Sequence, residues 1–92
     1  AFAAMLAAGM AGVREGLDCG DAYIGNAYVD EQLPRLPSSL REATDHFEKS
    51  ALARTAFGDD VVEFYAHHAR LEHEAFSNAV TDWEKQRYFE QI

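Results

Sequence analysis

Apolar residues recur every three to four positions in several stretches of this 92-residue chain, a spacing typical of amphipathic helices. In the first stretch, AFAAMLAAGMAGV, alanines separate the larger apolar side chains, and Gly9 and Gly12 permit close approach by another element. No capping Ser, Thr, Asp or Asn precedes this stretch, so we expect the chain to start inside a helix. The whole pattern predicts helices over about 1-16, 39-50, 51-57, 60-80 and 82-92, with a loop over 17-38.

Polar residues mark the expected ends of the helices. Three pairs of residues have the spacing of a capping box, in which a cap side chain and a glutamate exchange hydrogen bonds with each other's backbone: Ser39–Glu42, Asp60–Glu63 and Thr81–Glu84. Gly58 suits the left-handed residue that ends a helix, so the short third helix is expected to stop there.

The fourth predicted helix has the clearest division between an apolar and a polar side. Its apolar stripe is expected to face a core and consists of Val62, Tyr65, Ala69, Phe76 and Val80. On the polar side, Arg70 and Glu74 stand four residues apart and are predicted to form an ion pair.

The segment 17-38 between the first two helices is punctuated by Gly20, Gly25, Pro34 and Pro37, which predict an irregular connection. A loop of this length is uncommon inside a compact domain. We therefore expect a surface outside these residues for the loop to run across.

Composition and charge narrow the class of protein. Hydrophobic residues make up 48% of the chain and charged residues 26%, which is globular, and the length allows one domain at most. Sixteen acidic residues against eight Lys and Arg give a net charge of −8, which argues against nucleic-acid binding. The longest apolar run is too short to cross a membrane. A single cysteine, Cys19, excludes an intrachain disulfide and fits the cytoplasm.

Histidine and cysteine are the residues most suggestive of site chemistry. His67, His68 and His73 lack the spacing at which two histidines on one helix bind zinc, although His68 and Glu72 have it. With His46 as a third ligand, these residues leave a small helical metalloprotein as one alternative. Cys19 stands between Asp18 and Asp21, an acidic context that disfavours a nucleophilic thiolate. We assign no catalytic, cofactor-binding or metal-binding residue.

The last predicted helix carries more apolar area than its length requires. Its large side chains are Trp83, Tyr88, Phe89 and Ile92. In an isolated bundle such residues form the core, whereas at the end of a chain they also serve to contact another subunit, since aromatic residues dominate interfaces. Both interpretations remain open at this point. A standalone helical module that binds a protein partner through this surface is therefore an alternative function.

Two stretches resemble the C-terminal part of glutamine synthetase family enzymes. AFAAMLAAGMAGVREGLDCG resembles the stretch that follows the family's Asn-Pro-Tyr-Leu motif. AFGDDVVEFYAHHARLEHEAFSNAVTDWEKQRYFEQI is similar to a family helix of the type ALGDEFVDAYVxxxRxExxxF followed by VTxWExxRYFE. The resemblance covers essentially the whole chain. It implies a fragment that is all-α and forms, over 1-92, the C-terminal helical part of the family's α+β catalytic domain.

The resemblance also implies an activity for the whole protein. Family members are ligases that phosphorylate the γ-carboxylate of glutamate with ATP, using Mg²⁺ or Mn²⁺, before ammonia displaces the phosphate. Divergent members, the γ-glutamyl ligases, use organic amines or polyamines instead. The family's metal-binding glutamates, nucleotide contacts and substrate-binding arginines lie upstream of Ala1, so the fragment alone is expected to be inactive.

Family membership further implies partners and a place in the cell. These cytoplasmic enzymes assemble as double rings, commonly homo-dodecamers, in which the C-terminal segment contributes to subunit contacts. That role would fall here to Trp83, Tyr88, Phe89 and Ile92. The other expected partner is the rest of the chain's own catalytic domain.

One regulatory residue has a counterpart in the loop. Bacterial type I family members carry an adenylylated tyrosine in the sequence Asn-Leu-Tyr-(Asp/Glu)-Leu-Pro, which Asn26-Ala27-Tyr28 resembles. Val29 and Asp30 follow where the family has an acidic residue and Leu. This departure favours a structural role for Tyr28 over modification.

Overall fold

A computed structural model describes residues 1–89 and 91 of the chain. They form five helices and, within these ranges, no strand, which confirms the all-α prediction. The helices are α1 (Phe2–Glu15), α2 (Leu40–Lys49), α3 (Ala51–Phe57), α4 (Asp59–Asn78) and α5 (Asp82–Tyr88). The last helix was predicted to continue to residue 92, but α5 ends at Tyr88, after which Phe89 lies in a turn.

Local hydrogen bonds explain where two of the helices begin. At α5 the predicted capping box is confirmed, since the Glu84 N–H donates to Thr81 Oγ1 (3.3 Å) and the Thr81 N–H donates to the Glu84 carboxylate (2.7 Å). The hydrogen bonds that the Thr81 N–H and the Thr81 hydroxyl donate to the Glu84 carboxylate hold the pKa of Glu84 below its ordinary value. At α2, Ser39 caps as predicted, but the Glu42 carboxylate accepts from Ser38, one residue before the cap.

The junction between α3 and α4 differs from the prediction. Gly58 has the positive φ expected of it, 84°, but its ψ of 157° is not left-handed helical. The chain therefore turns at one residue, and α4 begins at Asp59 without a side-chain cap. Asp60 lies inside the first helical turn, where its side chain cannot cap the helix, so the predicted Asp60–Glu63 capping box is wrong. Instead, Asp59 accepts a hydrogen bond from Arg54 of α3 at 2.6 Å.

The only well-packed helix pair among the described residues is α2 against α4, with α3 beside both. Val62 and Ala66 of α4 are fully buried there, at 0% and 1% exposure. Thr44 of α2 is also buried, and its hydroxyl donates to the Leu40 carbonyl oxygen at 2.7 Å. The core of the described residues thus consists of small side chains.

Arg70 joins α4 to α2 rather than pairing along its own helix. Its guanidinium donates to both carboxylate oxygens of Glu48, at 3.0 and 2.5 Å, and lies 3.4 Å from Asp45. The predicted Arg70–Glu74 pair is wrong because two carboxylates on α2, three residues apart, lie within reach of the fork.

Most of the predicted apolar stripe on α4 lies in solvent. Val62 is buried as expected, but Tyr65, Phe76 and Val80 are each more than half exposed. Their exposure has a simple cause, since among the described residues α1 contacts α3 alone and α5 contacts no other helix. Among the described residues, the core that this stripe faces is therefore reached by Val62 but not by Tyr65, Phe76 or Val80.

The dimensions of the molecule show the same lack of packing. The radius of gyration is 18.6 Å, whereas a compact domain of this length has about 12 Å. The accessible surface is 8521 Å², against about 5,400 Å² for a compact protein of 10.3 kDa. The chain, including its exposed loop over 17-38, therefore leaves about 3,100 Å² more surface exposed than a self-contained fold of this mass.

Candidate interaction surface

The aromatic residues of the last helix form an exposed cluster. The rings of Trp83 and Tyr88 meet edge to face, with centroids 6.2 Å apart and an interplanar angle of 83°. Trp83 is 64% exposed and Phe89 82% exposed. Because α5 contacts no other helix, these side chains are not part of a core within the described residues. Ile92, predicted to belong to the same group, lies outside those residues.

Helix α1 presents a second apolar surface, which we call the outer face of α1. It is defined by Phe2, Met5, Leu6, Met10 and Val13, all of them more than half exposed. The opposite side of α1 carries small residues. Ala4 and Ala7 line a narrow cleft against Ala53 and Ala56 of α3, and Ala11 is buried. The helix thus packs its alanines inward and turns its large side chains outward.

An apolar groove lies beside the start of α1. It has a volume of about 410 Å³ and is lined by Ala1, Ala3, Ala4, Phe47, Phe57, Val61 and Tyr65. Apolar pockets with so few polar groups offer little to orient a polar substrate. This groove can accept apolar side chains, and nothing in its lining points to catalysis.

The loop over 17-38 presents Tyr28 to solvent. The Tyr23 hydroxyl donates to Asp30 at 2.8 Å, and this bond closes a small loop. At its tip the Tyr28 N–H donates to the side-chain oxygen of Asn26 at 3.1 Å, and the Tyr28 side chain is 92% exposed. Hydrogen bonds from the Gln32 N–H and from Tyr23 hold the pKa of Asp30 below its ordinary value, so the loop is closed by a charged carboxylate.

The histidines and the cysteine are not brought together into a site. His67 and His68 are exposed, His73 is half-buried, and Cys19 is an exposed free thiol. Within residues 1–89 and 91, no three His, Cys, Asp or Glu side chains converge as metal ligands. In the same ranges, no helix is both long enough and apolar enough to cross a bilayer.

Two features of the surface could not be predicted from the amino-acid sequence. The partner of Arg70 was predicted wrongly, because its contacts with Asp45 and Glu48 depend on the packing of α4 against α2 and leave no signal in the local sequence. The outer face of α1 was visible as a helical stripe, but its direction relative to α3 depends on packing and not on the pattern. The described residues therefore assemble apolar surface rather than reacting groups.

Comparison with known proteins supplies the context for this surface. The family model for the catalytic domain of glutamine synthetase matches residues 1–88. The chain is 45% identical over 92 residues to a gamma-glutamylethanolamide synthetase of Streptomyces coelicolor, covering 100% of this chain and 20% of that protein. It is 38% identical over 93 residues to a glutamate–isopropylamine ligase of a Pseudomonas species, covering 99% of this chain and 20% of that protein.

A glutamine synthetase of Thermotoga maritima is 33% identical over 95 residues, covering 96% of this chain and 22% of that protein. No solved structure matches the chain. The chain spans about a fifth of the length of the curated relatives it matches, so it corresponds to a fragment of proteins of this kind. With a match that extends over nearly all of its residues, the chain belongs to the glutamine synthetase family.

Proposed function

We propose that residues 1-92 are the C-terminal helical portion of the catalytic domain of an ATP-dependent ligase. The whole protein would join the γ-carboxylate of glutamate to an amine by way of γ-glutamyl phosphate. The observation that carries this proposal is the family match over residues 1–88. The exposed apolar surface supports it, because a part of a larger catalytic domain is expected to leave uncovered the side chains that contact the remainder.

The acceptor that we propose is a small organic primary amine. The relatives at 45% and 38% identity are named for ethanolamide and isopropylamine, whereas two glutamine synthetases, from Dictyostelium discoideum and Thermotoga maritima, are 36% and 33% identical. Ammonia, the acceptor implied for glutamine synthetases, is the alternative. The pocket that would select the amine lies in the part of the protein outside these 92 residues.

Within this proposal the described residues contribute structure and not chemistry. ATP and Mg²⁺ or Mn²⁺ are implied by the family, but a divalent cation needs several oxygen ligands in one place. The residues that the structure describes do not offer such a set, and they do not fit the group. The nucleotide and metal would be held elsewhere in the polypeptide, so the 92-residue chain alone is expected to be inactive.

The proposal extends to assembly and location. The α5 cluster of Trp83, Tyr88 and Phe89 would contact a neighbouring subunit in a double-ring homo-oligomer, with a dodecamer as the expected form. Exposed aromatic groups of this kind are typical of subunit interfaces. A cytoplasmic location is part of the same proposal and is supported by the family resemblance and the single free cysteine.

The test is an assay of the full-length protein that contains this chain. Purified enzyme is incubated with glutamate, ATP and Mg²⁺, together with ethanolamine, isopropylamine or ammonium, and both ADP release and the amide product are measured. We expect amide formation to be most efficient with one of the two organic amines. Preference for ammonium would identify a glutamine synthetase. Absence of any amide-forming activity with all three would contradict the ligase proposal.

A further inference from the structure

The short helix α3 is joined to its neighbours by a single residue on each side. Ser50 lies between α2 and α3, and Gly58 lies between α3 and α4. Neither residue is helical, with φ −71° and ψ 111° at Ser50 and φ 84° and ψ 157° at Gly58. Residues at the ends of elements are the positions where hinges absorb changes of backbone angle. We call Ser50 and Gly58 the hinge residues of α3.

Arg54, in the middle of α3, reaches past both hinge residues. Its Nε donates to the Glu48 carbonyl oxygen near the end of α2, at 2.8 Å. Its Nη1 donates to the Asp59 carboxylate at the start of α4, at 2.6 Å, and lies 3.8 Å from the Glu63 carboxylate. One guanidinium therefore binds the helix before the first hinge residue and the helix after the second.

Charges of opposite sign alternate along these contacts. The last carbonyl groups of a helix have no partner within it and carry the negative end of its dipole, so a cation is favourable beside the Glu48 carbonyl oxygen. Asp59 is favourable for the converse reason, since it lies in the first turn of α4, at the positive end of that helix. The Arg54 guanidinium thus lies between two groups that each favour a cation.

We propose that Arg54 restrains both hinge residues and thereby fixes the angle of α3 to the packed pair of α2 and α4. Among the described residues α1 contacts α3 alone, and the apolar groove lies between the start of α1 and Phe47, Val61 and Tyr65 of that pair. Movement of α3 at its hinge residues therefore moves α1 as well. Because the loop over 17-38 joins α1 to α2, the same movement changes the separation of the two ends of the loop.

The role that we propose for Arg54 is positioning, and its contribution to overall stability is small. The side chains of Asp59 and Glu63 are 70% and 66% exposed, and ion pairs in solvent stabilise a fold only weakly. Helices α2 and α4 also pack directly against each other and are joined by Arg70, so they stay together without Arg54. Loss of Arg54 therefore releases α3 locally and changes the melting temperature of the whole protein little.

Amide hydrogen exchange in the full-length protein tests the proposal, because it measures local opening at backbone hydrogen bonds. Two such bonds report on the hinge residues. The Ser50 N–H donates to the Phe47 carbonyl oxygen at 3.1 Å, and the Gly58 N–H donates to the Arg54 carbonyl oxygen at 2.9 Å. Arg54→Ala removes the side-chain contacts on both sides of α3. Asp59→Ala removes the nearest partner on α4 and leaves the contact with α2.

Two exposed residues provide matched controls. Arg41→Ala removes an arginine from α2, and Asp60→Ala removes a carboxylate from the first turn of α4, beside Asp59. Among the described residues, neither Arg41 nor Asp60 takes part in an ion pair. Arg54→Lys is the conservative variant, and its single ammonium group lacks the fork that reaches both sides at once. The melting temperature and assembly mass of every variant are measured in parallel to check folding.

We expect Arg54→Ala to raise the exchange rate of both hinge amides several-fold and Asp59→Ala to raise that of Gly58 alone. The two controls should change neither rate, and Arg54→Lys should restore slow exchange at one hinge residue at most. If Arg54→Ala does not assemble, Asp59→Ala decides: faster exchange at Gly58 but not at Ser50 supports the proposal, and unchanged exchange at Gly58 contradicts it.

Three other results would overturn the restraint by Arg54. Unchanged exchange at both hinge residues in folded Arg54→Ala would show that other contacts hold α3. Equal acceleration throughout α2, α3 and α4 would show a general loss of stability. Slow exchange at both hinge residues in Arg54→Lys would show that a two-sided guanidinium contact is not required.

Discussion

Arg70 is the residue that ties the two best-packed helices together. Its planar guanidinium engages both oxygens of Glu48 and lies close to Asp45, so one α4 side chain binds two positions on α2. The hydrogen bonds and charge of Arg70 hold the pKa of Glu48 below its ordinary value. Exposed ion pairs usually stabilise a folded protein only weakly. A bidentate pair with a second carboxylate nearby is the arrangement that is expected to contribute to the free energy of unfolding.

Replacement of Glu48 provides a prediction with a defined pH dependence. Because the pKa of Glu48 is lowered on folding, the stabilisation is present above its unfolded pKa and is lost as the pH falls through its folded pKa. We therefore expect Glu48→Gln to lower the melting temperature of the full-length protein slightly at pH 7. The difference from the unmodified protein should shrink in acid, as Glu48 becomes protonated in the latter.

Glu74→Gln is the matched control for this measurement. Glu74 is exposed on the same helix as Arg70, and the structure gives it no ion pair with Arg70. Its replacement removes one negative charge without removing the bridge between α2 and α4. Equal effects of the two substitutions at pH 7, or a Glu48→Gln effect that persists unchanged in acid, would contradict the structural assignment of Arg70.

Whether a side-chain hydrogen bond could be predicted from the sequence depends on how many residues separate its two partners along the chain. The Thr81–Glu84 capping box and the Ser39 cap could be predicted because they involve residues three apart, whose geometry the helix start itself imposes. Arg70 could not be assigned correctly, because its partners are 22 and 25 residues away and only the packing of two helices brings them close.

At the scale of elements, the periodicity of apolar residues identified the helical segments but not which side of each helix is covered by a neighbour. Period and caps are local properties of the chain, whereas the side that is covered depends on which neighbours are present. Phe76 on α4, Val80 just after the end of α4, and Leu6 on α1 follow the expected spacing and still lie more than half exposed. These apolar stripes therefore indicate packing partners beyond the described residues.

Trp83 tests the assignment of α5 to a subunit contact. If the cluster is buried between subunits, Trp83→Ala in the full-length protein should remove a buried aromatic side chain and cost about 3–5 kcal/mol. We expect a lower melting temperature and a shift towards smaller assemblies, measured by light scattering. Lys85→Ala is the control on the same helix, since Lys85 is exposed and its ion pair among the described residues is with Asp82, three residues away. An unchanged melting temperature and an unchanged oligomer would contradict the assignment.

At the scale of the whole molecule, the resemblance of the sequence to one family was more informative than any single residue. The family was predicted from AFAAMLAAGMAGVREGLDCG and from the AFGDD…RYFEQI stretch, and the match over residues 1–88 confirms it. Metal binding or catalysis could not be assigned to His67, His68 or Cys19, because the structure does not bring these residues together in one site. The acceptor amine could not be predicted, since the resemblance carried no substrate-binding residue onto these 92 positions.

The isolated 92-residue chain should not behave as a well-packed monomer. Among the described residues, its core is limited to small side chains such as Ala11, Ala53 and Ala66, while most of its large apolar residues face solvent. Apolar surface on this scale drives association in water. We expect the purified chain to self-associate in a concentration-dependent way and to bind a dye that reports exposed apolar surface. Light scattering across a dilution series and dye fluorescence measure both properties.

The full-length protein is the control, and we expect it to bind little dye at the same molar concentration, since the remainder of the proposed catalytic domain would cover these apolar side chains. A monodisperse, monomeric 92-residue chain with low dye binding would show that these helices rearrange to bury their own large side chains. That result would favour a standalone helical interaction module. The remaining polypeptide can also be supplied separately to the purified chain. If self-association then disappears, the exposed apolar surface is complementary to the part of the protein that corresponds to the other four-fifths of a family member.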